Sequence, residues 1–223
     1  MSVKRKAFLT GGNRGIGAAI QRELTRRGFE VWAPGRSELD LGDAASVGRF
    51  VKAHAGEIDV LVNNAGINIL KAIPDFDPAT WSQMQQVNLA APLALMQWAA
   101  PFMRQRRWGR ILNISSIFSI VTRENRAPYS MTKAALNALT RNAAIEFGPD
   151  GVLVNALCPG YVETEMTTKN NPPAEMERIK ASIPLQRMAR PEEMAQIAGF
   201  LCSEENNYIT GQAVIADGGF TCK

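Results

Sequence analysis

The chain has 223 residues, of which 46% are hydrophobic and 21% charged, and its formal net charge is +4, an ordinary balance for a globular protein with one sizeable core. Three scattered cysteines and a single histidine, with no Cys-x-x-Cys pair, argue against a zinc site, so no metal is expected. The chain lacks an apolar run of ~18 residues and a signal-peptide pattern, which predicts a soluble cytoplasmic protein without a membrane span.

Short apolar runs alternate with longer helical patterns from one end of the chain to the other. Strands are predicted at 6–10, 30–34, 38–41, 59–63, 110–115, 152–158 and 213–217. Helices are predicted at 16–27, 44–55, 78–106, 127–147 and 191–202, and a polar loop with a short helix at 164–190. This alternation is typical of a parallel sheet covered on both faces. The predicted fold is therefore α/β, a Rossmann-like doubly wound parallel sheet of about seven strands in a single domain, residues 1–223.

A glycine-rich stretch, TGGNRGIG at 10–17, follows the first predicted strand and opens the first helix. Gly11, Gly15 and Gly17 let the backbone turn tightly and approach a pyrophosphate at the helix N-terminus. The spacing Gly-x-x-x-Gly-x-Gly differs from the usual dinucleotide pattern, and an ordinary strand–helix corner is the alternative.

Six short motifs occur in order along the chain: TGGNRGIG (10–17), NNAG (63–66), Asn88 within VNL, ISS (114–116), YSMTK (129–133) and PGYVET (159–164). The ordered set resembles the short-chain dehydrogenase/reductase family over nearly the whole chain, and is most similar to its 3-oxoacyl-[acyl-carrier-protein] reductase branch. The resemblance implies a metal-free, NAD(P)-dependent oxidoreductase acting on a carbonyl or secondary alcohol. It also implies a substrate lid at about 164–190 and a homodimer or homotetramer formed through helices 78–106 and 127–147.

The resemblance assigns the cofactor site residue by residue. Asp40 is expected to hydrogen-bond the adenine edge, and Lys133 the nicotinamide ribose. The residues expected around the pyrophosphate are Gly11, Gly15, Ile16 and Gly17. Those expected on the adenosine-ribose side are Asn64, Ala65 and Gly66, and those expected around the nicotinamide are Pro159, Gly160, Val162 and Thr164. The remaining predicted cofactor contacts are Asn13, Arg14, Arg36, Leu41 and Tyr129.

Two arginines favour NADP(H) over NAD(H). An acidic residue at the end of the second strand would bind a ribose 2′-hydroxyl, but Gly35 occupies that position. Arg36 follows it and Arg14 lies in the glycine turn, so two guanidinium groups could hold a 2′-phosphate. The alternatives are a solvated Arg36 and use of NAD(H).

The predicted catalytic residues are Asn88, Ser116, Tyr129 and Lys133. Tyr129 and Lys133 share one helix face, and a nearby ammonium is expected to lower the phenol's pKa from ~10, which suits Tyr129 as general acid in reduction and base in oxidation. Ser116 is expected to hydrogen-bond the substrate oxygen. Asn88 is expected in a kinked turn, fixing a water that relays protons to Lys133; a solvated helix position is its alternative.

Basic residues border the expected substrate mouth. Arg123 and Arg126 precede Tyr129, and the lid segment adds Lys169, Lys180 and Arg187. Such a rim favours a small or carrier-bound acidic substrate, for which an acyl-carrier thioester, a nucleotide sugar and an acidic sugar all qualify. The alternative is local pairing of these cations with Glu124 or Glu163.

The chain departs from the family pattern after the second strand. About three residues join that strand to 38–41, whereas a parallel crossover needs a dozen or more. The intervening helix must be absent, and strand 38–41 must be a stub or lie on an extended tether, leaving the adenine pocket shallow. The resemblance implies a 3-oxoacyl thioester as substrate, but this departure argues against a direct transfer from full-length relatives. A keto-sugar or sugar alcohol of sugar or surface-polysaccharide metabolism is the alternative. A non-catalytic dinucleotide-binding scaffold is the third hypothesis. Nucleic-acid binding through 104–110 lacks a supporting motif, and no nucleic-acid partner is expected.

Overall fold

The computed structural model describes residues 4–222, and within them the chain forms six strands and eight α-helices. The strands are β1 (Lys6–Leu9), β2 (Glu30–Trp32), β3 (Val60–Asn63), β4 (Gly109–Ile114), β5 (Val152–Pro159) and β6 (Ala213–Ala216). The helices are α1 (Gly15–Arg26), α2 (Ala44–Ala53), α3 (Pro78–Gln85), α4 (Ala91–Gln105), α5 (Ala127–Phe147), α6 (Glu165–Asn170), α7 (Pro173–Ser182) and α8 (Pro191–Leu201).

The six strands form one parallel sheet in the order β2-β1-β3-β4-β5-β6. The chain moves outward from β1 to β2 and then crosses back to β3, so the strand order reverses between β1 and β3. In doubly wound sheets the ligand crevice lies beyond the carboxyl ends of the strands at this reversal. The single-domain Rossmann-like α/β prediction is confirmed.

The helices cover both faces of the sheet because side chains alternate along each strand. Leu9 and Val62 face α1 and α8, which contribute apolar residues such as Ile20 to one core. Phe8 and Leu61 point the other way, into a second core formed with α2, α4 and α5.

The predicted strand at 38–41 is not formed, which explains six strands rather than about seven. The carbonyl of Gly35 accepts hydrogen bonds from the amides of Glu38 and Leu39, at 3.1 and 3.0 Å, so the chain turns instead of extending. Leu39 is still buried, against Phe8 and the α2 side of the sheet. The apolar pattern of ELDL therefore reflects core packing rather than strand pairing, and β2 becomes the sheet edge.

The predicted helix at 78–106 is interrupted. A π-helical turn, Gln86–Ala90, separates α3 from α4. Pro92 follows it near the start of α4 and has no amide hydrogen to donate to the carbonyl four residues earlier, that of Asn88. The turn carries Asn88, which matches the expectation that this residue lies in an irregular part of the helix.

The segment at 164–190 contains two helices, α6 and α7, rather than a loop with one short helix. A parallel bridge between Val162 and Ala189 brings its two ends together. Among residues 4–222, no helix combines the length and the apolar character needed to cross a lipid bilayer.

Candidate active site

Tyr129 and Lys133 lie one turn apart on α5, and both are buried. The Lys133 ammonium donates a 2.7 Å hydrogen bond to the carbonyl of Ile114 at the end of β4, and its Nζ is 5.7 Å from the centroid of the Tyr129 ring. Burial lowers the pKa of Lys133 to about 8. The predicted pair is therefore held at the carboxyl edge of the sheet.

Ser116 follows β4, and its hydroxyl lies beside the Tyr129 phenol, where it acts to lower the pKa of that group. The Ser116 hydroxyl also accepts a 3.1 Å hydrogen bond from the amide of Phe118, which fixes its rotamer. The preceding Ser115 points elsewhere and donates to the carbonyl of Lys133 at 3.3 Å. This arrangement brings the predicted serine, and not its neighbour, to the phenol.

The pKa of Tyr129 is raised in the protein, opposite to the expected direction. Burial of the phenolate is the main cause, and the Ser116 hydroxyl opposes it only partly. The Lys133 ammonium does not contribute to this shift, so the lowering that the sequence suggested does not occur.

Asn88 joins the π-helical turn to the segment after β3. Its side-chain oxygen accepts from the amide of Ile67 at 2.9 Å, and its side-chain nitrogen donates to the Ile67 carbonyl at 2.9 Å and to Thr132 at 3.1 Å. A Cβ atom at Gly66 would lie 3.3 Å from this oxygen and 3.4 Å from the Lys133 nitrogen. Asn88 and Lys133 therefore flank Gly66, and the water-relay role of Asn88 stays a prediction.

The glycine turn has the geometry expected of a phosphate-binding loop. Gly11 and Gly15 have left-handed φ values of +68° and +54°, and a Cβ at Gly17 would lie 2.0 Å from the Gly11 carbonyl oxygen. The N-cap of α1, Arg14, makes no capping hydrogen bond with its side chain. The turn therefore fits a pyrophosphate at the start of α1, the group that a dinucleotide cofactor would place there.

Asn64 braces this turn from the neighbouring strand. Its side-chain nitrogen donates to the carbonyls of Thr10 and Gly11 at 2.9 and 3.0 Å. The Thr10 hydroxyl in turn accepts from the amides of Asn64 and Ala65, both at 3.0 Å. The amide side chain of Asn64 is therefore committed to shaping the loop, and Thr10 is a site residue that the predicted set did not include.

The residues expected around the adenosine contact one another. Arg36 pairs with Asp40 at 3.1 Å, and Asp40 also accepts from the amide of Gly42 at 2.9 Å. These contacts lower the pKa of the Asp40 carboxyl, with the Gly42 amide as the main cause. Arg14 pairs with Glu165 of α6. The two arginines that favour NADP(H) thus lie on the crevice rim as exposed ion pairs.

The segment expected to hold the nicotinamide is anchored at both ends. The amide of Gly160 donates to the Ala216 carbonyl at 2.9 Å, and a Cβ at Gly160 would lie 2.7 Å from the Cα of Asp217. Thr164 caps the N-terminus of α6 through its hydroxyl. The other predicted contacts lie as follows: Val162 and Pro159 buried, Ile16 and Leu41 half-buried, and Asn13 exposed.

Comparison with known proteins agrees with this geometry. A family model described as enoyl-(acyl carrier protein) reductase matches residues 37–221. The 3-oxoacyl-[acyl-carrier-protein] reductase FabG of Aquifex aeolicus (strain VF5) is 36% identical over 238 residues, covering 96% of each chain. A solved structure described as a short chain dehydrogenase/reductase family protein is 33% identical, with a TM-score of 0.89 and 99% of each chain covered.

The chain belongs to the short-chain dehydrogenase/reductase family. Another family structure, a gluconate 5-dehydrogenase from Burkholderia cenocepacia J2315 in complex with NADP and tartrate, is 30% identical with a TM-score of 0.93. It matches 99% of this chain and 97% of its own. This chain is therefore an oxidoreductase, and its relatives differ in substrate.

The basic residues at the substrate side of this short-chain dehydrogenase/reductase are mostly paired within the chain. Arg123 donates to the Tyr161 hydroxyl at 3.3 Å and pairs with Glu175 of α7 at 3.0 Å. In the lid segment, the ion pairs are Lys180–Glu177 and Arg187–Glu193. Local pairing thus occurs, but with acids of the lid and of α8 rather than with the expected Glu124 or Glu163. Tyr161, within PGYVET, is a second pocket residue that the predicted set lacked.

Proposed function

We propose that this oxidoreductase reversibly reduces a ketone to a secondary alcohol with NADP(H). The convergence of Ser116, Tyr129 and Lys133 at the carboxyl edge of the sheet, beside the glycine turn, carries the proposal. Such a reaction needs two hydroxyl groups to contact the carbonyl oxygen, which Ser116 and Tyr129 supply, and a cation beside the cofactor site, which Lys133 supplies.

Reduction also needs a hydride, which NADPH supplies when bound. Ser116 orients the substrate carbonyl through its hydroxyl, and Tyr129 delivers the proton to the carbonyl oxygen. Lys133 holds the nicotinamide ribose, and Asn88 keeps the segment at Ile67 in place while binding a relay water. In the oxidative direction, Tyr129 accepts the same proton.

NADP(H) is preferred to NAD(H) because of the two arginines on the rim. The Arg36–Asp40 and Arg14–Glu165 pairs are exposed. Exposed ion pairs contribute only about 0–1 kcal/mol, so a doubly charged 2′-phosphate can compete for both guanidinium groups. The NADP in the Burkholderia cenocepacia enzyme supports this choice.

Two substrate classes follow from the relatives. FabG of Aquifex aeolicus supports a 3-oxoacyl thioester, and the gluconate 5-dehydrogenase supports a keto-sugar acid. A homodimer or homotetramer is the assembly we propose, and light scattering would distinguish the two.

NADPH oxidation with a panel of 3-oxoacyl thioesters, keto-sugars and oxo acids tests this function. Tyr129→Phe should lower kcat/KM by about 10²–10⁴ for any substrate that is reduced, while NADPH binding is retained. Tyr208→Phe is the matched control, because Tyr208 is 93% exposed and distant from the chemistry. Unchanged turnover in Tyr129→Phe would disprove the assignment.

A further inference from the structure

Arg126 immediately precedes the helix that carries the predicted catalytic tyrosine. Asn125 has a left-handed φ of +61°, which turns the loop inward just before it. The carbonyl of Arg126 then accepts a 2.8 Å hydrogen bond from the amide of Ser130, so α5 begins at this point. The backbone of Arg126 is therefore fixed three residues from Tyr129.

The Arg126 side chain is buried against the ring of Phe118. The residue is 4% exposed, and its guanidinium carbon lies 5.2 Å from the centroid of the Phe118 ring. Phe118 packs edge-on against both Tyr129 and Tyr161, at centroid distances of 6.3 and 6.2 Å. The guanidinium thus belongs to the aromatic pocket beside the phenol, and it is one of the charges that act to lower the pKa of Tyr129.

Among the described residues, no acid pairs with this guanidinium. Within residues 4–222, Arg126 makes no ion pair and its side chain donates no hydrogen bond. Arg123, three residues earlier, is by contrast satisfied by Glu175 and the Tyr161 hydroxyl. Burial and the neighbouring Arg123 charge both lower the pKa of Arg126, so its surroundings disfavour the cation.

A buried and unpaired charge is costly, and contact with one aromatic face offsets only part of that cost. A guanidinium presents its donors in a planar fork that matches a carboxylate. We propose that Arg126 binds the carboxylate of the substrate, so that the enzyme acts on a small oxo acid or the corresponding hydroxy acid, sugar acids included. This inference rests on the carbonyl-reducing function proposed above.

The position of Arg126 favours small oxo acids over acyl-carrier thioesters as substrates. Because the guanidinium lies beside the pocket of Tyr129, its anion must be a few bonds from the reacting carbonyl. A 3-oxoacyl thioester has no charge there, since its phosphate lies at the far end of the pantetheine arm.

The test compares acids with neutral counterparts: acetoacetate with methyl acetoacetate and its N-acetylcysteamine thioester, and 5-ketogluconate with fructose. The variants are Arg126→Met and, as matched control, Arg49→Met, whose arginine side chain is 73% exposed on α2, outside the segment at 164–190. Arg126→Met should raise KM for the acids by about 30-fold or more and change kcat/KM for the neutral ketones less than about threefold. Calorimetric titration of 5-ketogluconate into the NADP⁺-loaded protein should lose its signal in Arg126→Met only.

A stability readout is independent of turnover. Because Arg126→Met removes a buried unpaired charge, its Tm should rise by about 2 °C or more. The proposal is overturned if acids and neutral ketones are affected equally, if the thioester is the preferred wild-type substrate, or if Arg126→Met melts well below the wild type. If 5-ketogluconate binding requires Arg126 but turnover does not require Tyr129, the proposed function is refuted while the carboxylate site at Arg126 is supported.

Discussion

Replacing Asn88 by alanine tests whether the irregular turn between α3 and α4 is held by this one side chain. Asn88 is fully buried and makes three hydrogen bonds, two of them to the backbone of Ile67. Alanine would leave the amide and the carbonyl of Ile67 without their partner. These two groups link the π-helical turn to the segment beside Lys133.

The magnitude follows from those two groups. An unsatisfied buried polar group costs about 1–3 kcal/mol, and Ile67 is only half-buried, so water can replace part of each bond. A total loss of about 2–3 kcal/mol is expected. For a chain of this length, that corresponds to a fall in Tm of about 4–12 °C.

Thermal unfolding monitored by circular dichroism measures this change in Tm, with Asn142→Ala as control. Asn142 is exposed on α5 and its side chain bonds only to the carbonyl of Ala138 in the same helix, at 3.1 Å. Its replacement should alter stability by no more than about 0.5 kcal/mol. If Asn88→Ala melts within the range of this control, the bracing role assigned to Asn88 is wrong.

Three further predictions concern the cofactor end and the buried lysine. Gly17→Ala should abolish NADPH binding in a fluorescence titration, because its Cβ would lie 2.0 Å from the Gly11 carbonyl; Gly48→Ala, with open space around it, should bind normally. Arg36→Asp should exchange the NADP(H) preference for NAD(H), and an unchanged kcat/KM with NADPH would contradict the assignment. Because the pKa of Lys133 is about 8 in the folded state and ~10.4 unfolded, the unfolded chain binds more protons between these values and stability should rise with pH there. In urea unfolding, the free energy of unfolding of Lys133→Met should rise by about 2–3 kcal/mol less over this pH range than that of the wild type. If the two proteins have the same pH profile, the lowered pKa of Lys133 is wrong.

The sheet was largely predictable because each central strand is built mainly of apolar residues. The segment at 38–41 was not, since ELDL alternates like a strand while its apolar residue Leu39 simply packs into the core. Only the connection length indicated that pairing there was difficult. The interruption in the long helix left a local signal in Pro92, but its π-helical form depends on contacts with Ile67, which is distant in sequence.

The substrate rim shows most clearly what sequence could not supply. Arg123 and Arg126 are three residues apart in one loop, and both look like rim cations in the sequence. Arg123 is ion-paired and Arg126 is not, because Glu175 contacts only Arg123. Glu175 lies 52 residues from Arg123 and reaches it only through the fold of the segment at 164–190. Likewise, the direction of the Tyr129 pKa shift depends on burial, which motif spacing does not reveal.

Under the proposals made above, two buried cations, Lys133 and Arg126, let one pocket serve both the cofactor and an anionic substrate. Residues 4–222 provide no carboxylate partner for either of them. Burial weakens the charged form of each, yet the same low dielectric strengthens their attraction to an arriving anion. Burial lowers the pKa of the lysine to about 8, whereas the pKa of the guanidinium, although also lowered, starts far above neutrality, so Arg126 stays charged. A proton-linked role therefore suits Lys133, and a permanent charge for recognition suits Arg126. Both buried charges lower the stability of the fold, as is expected of a preorganised site.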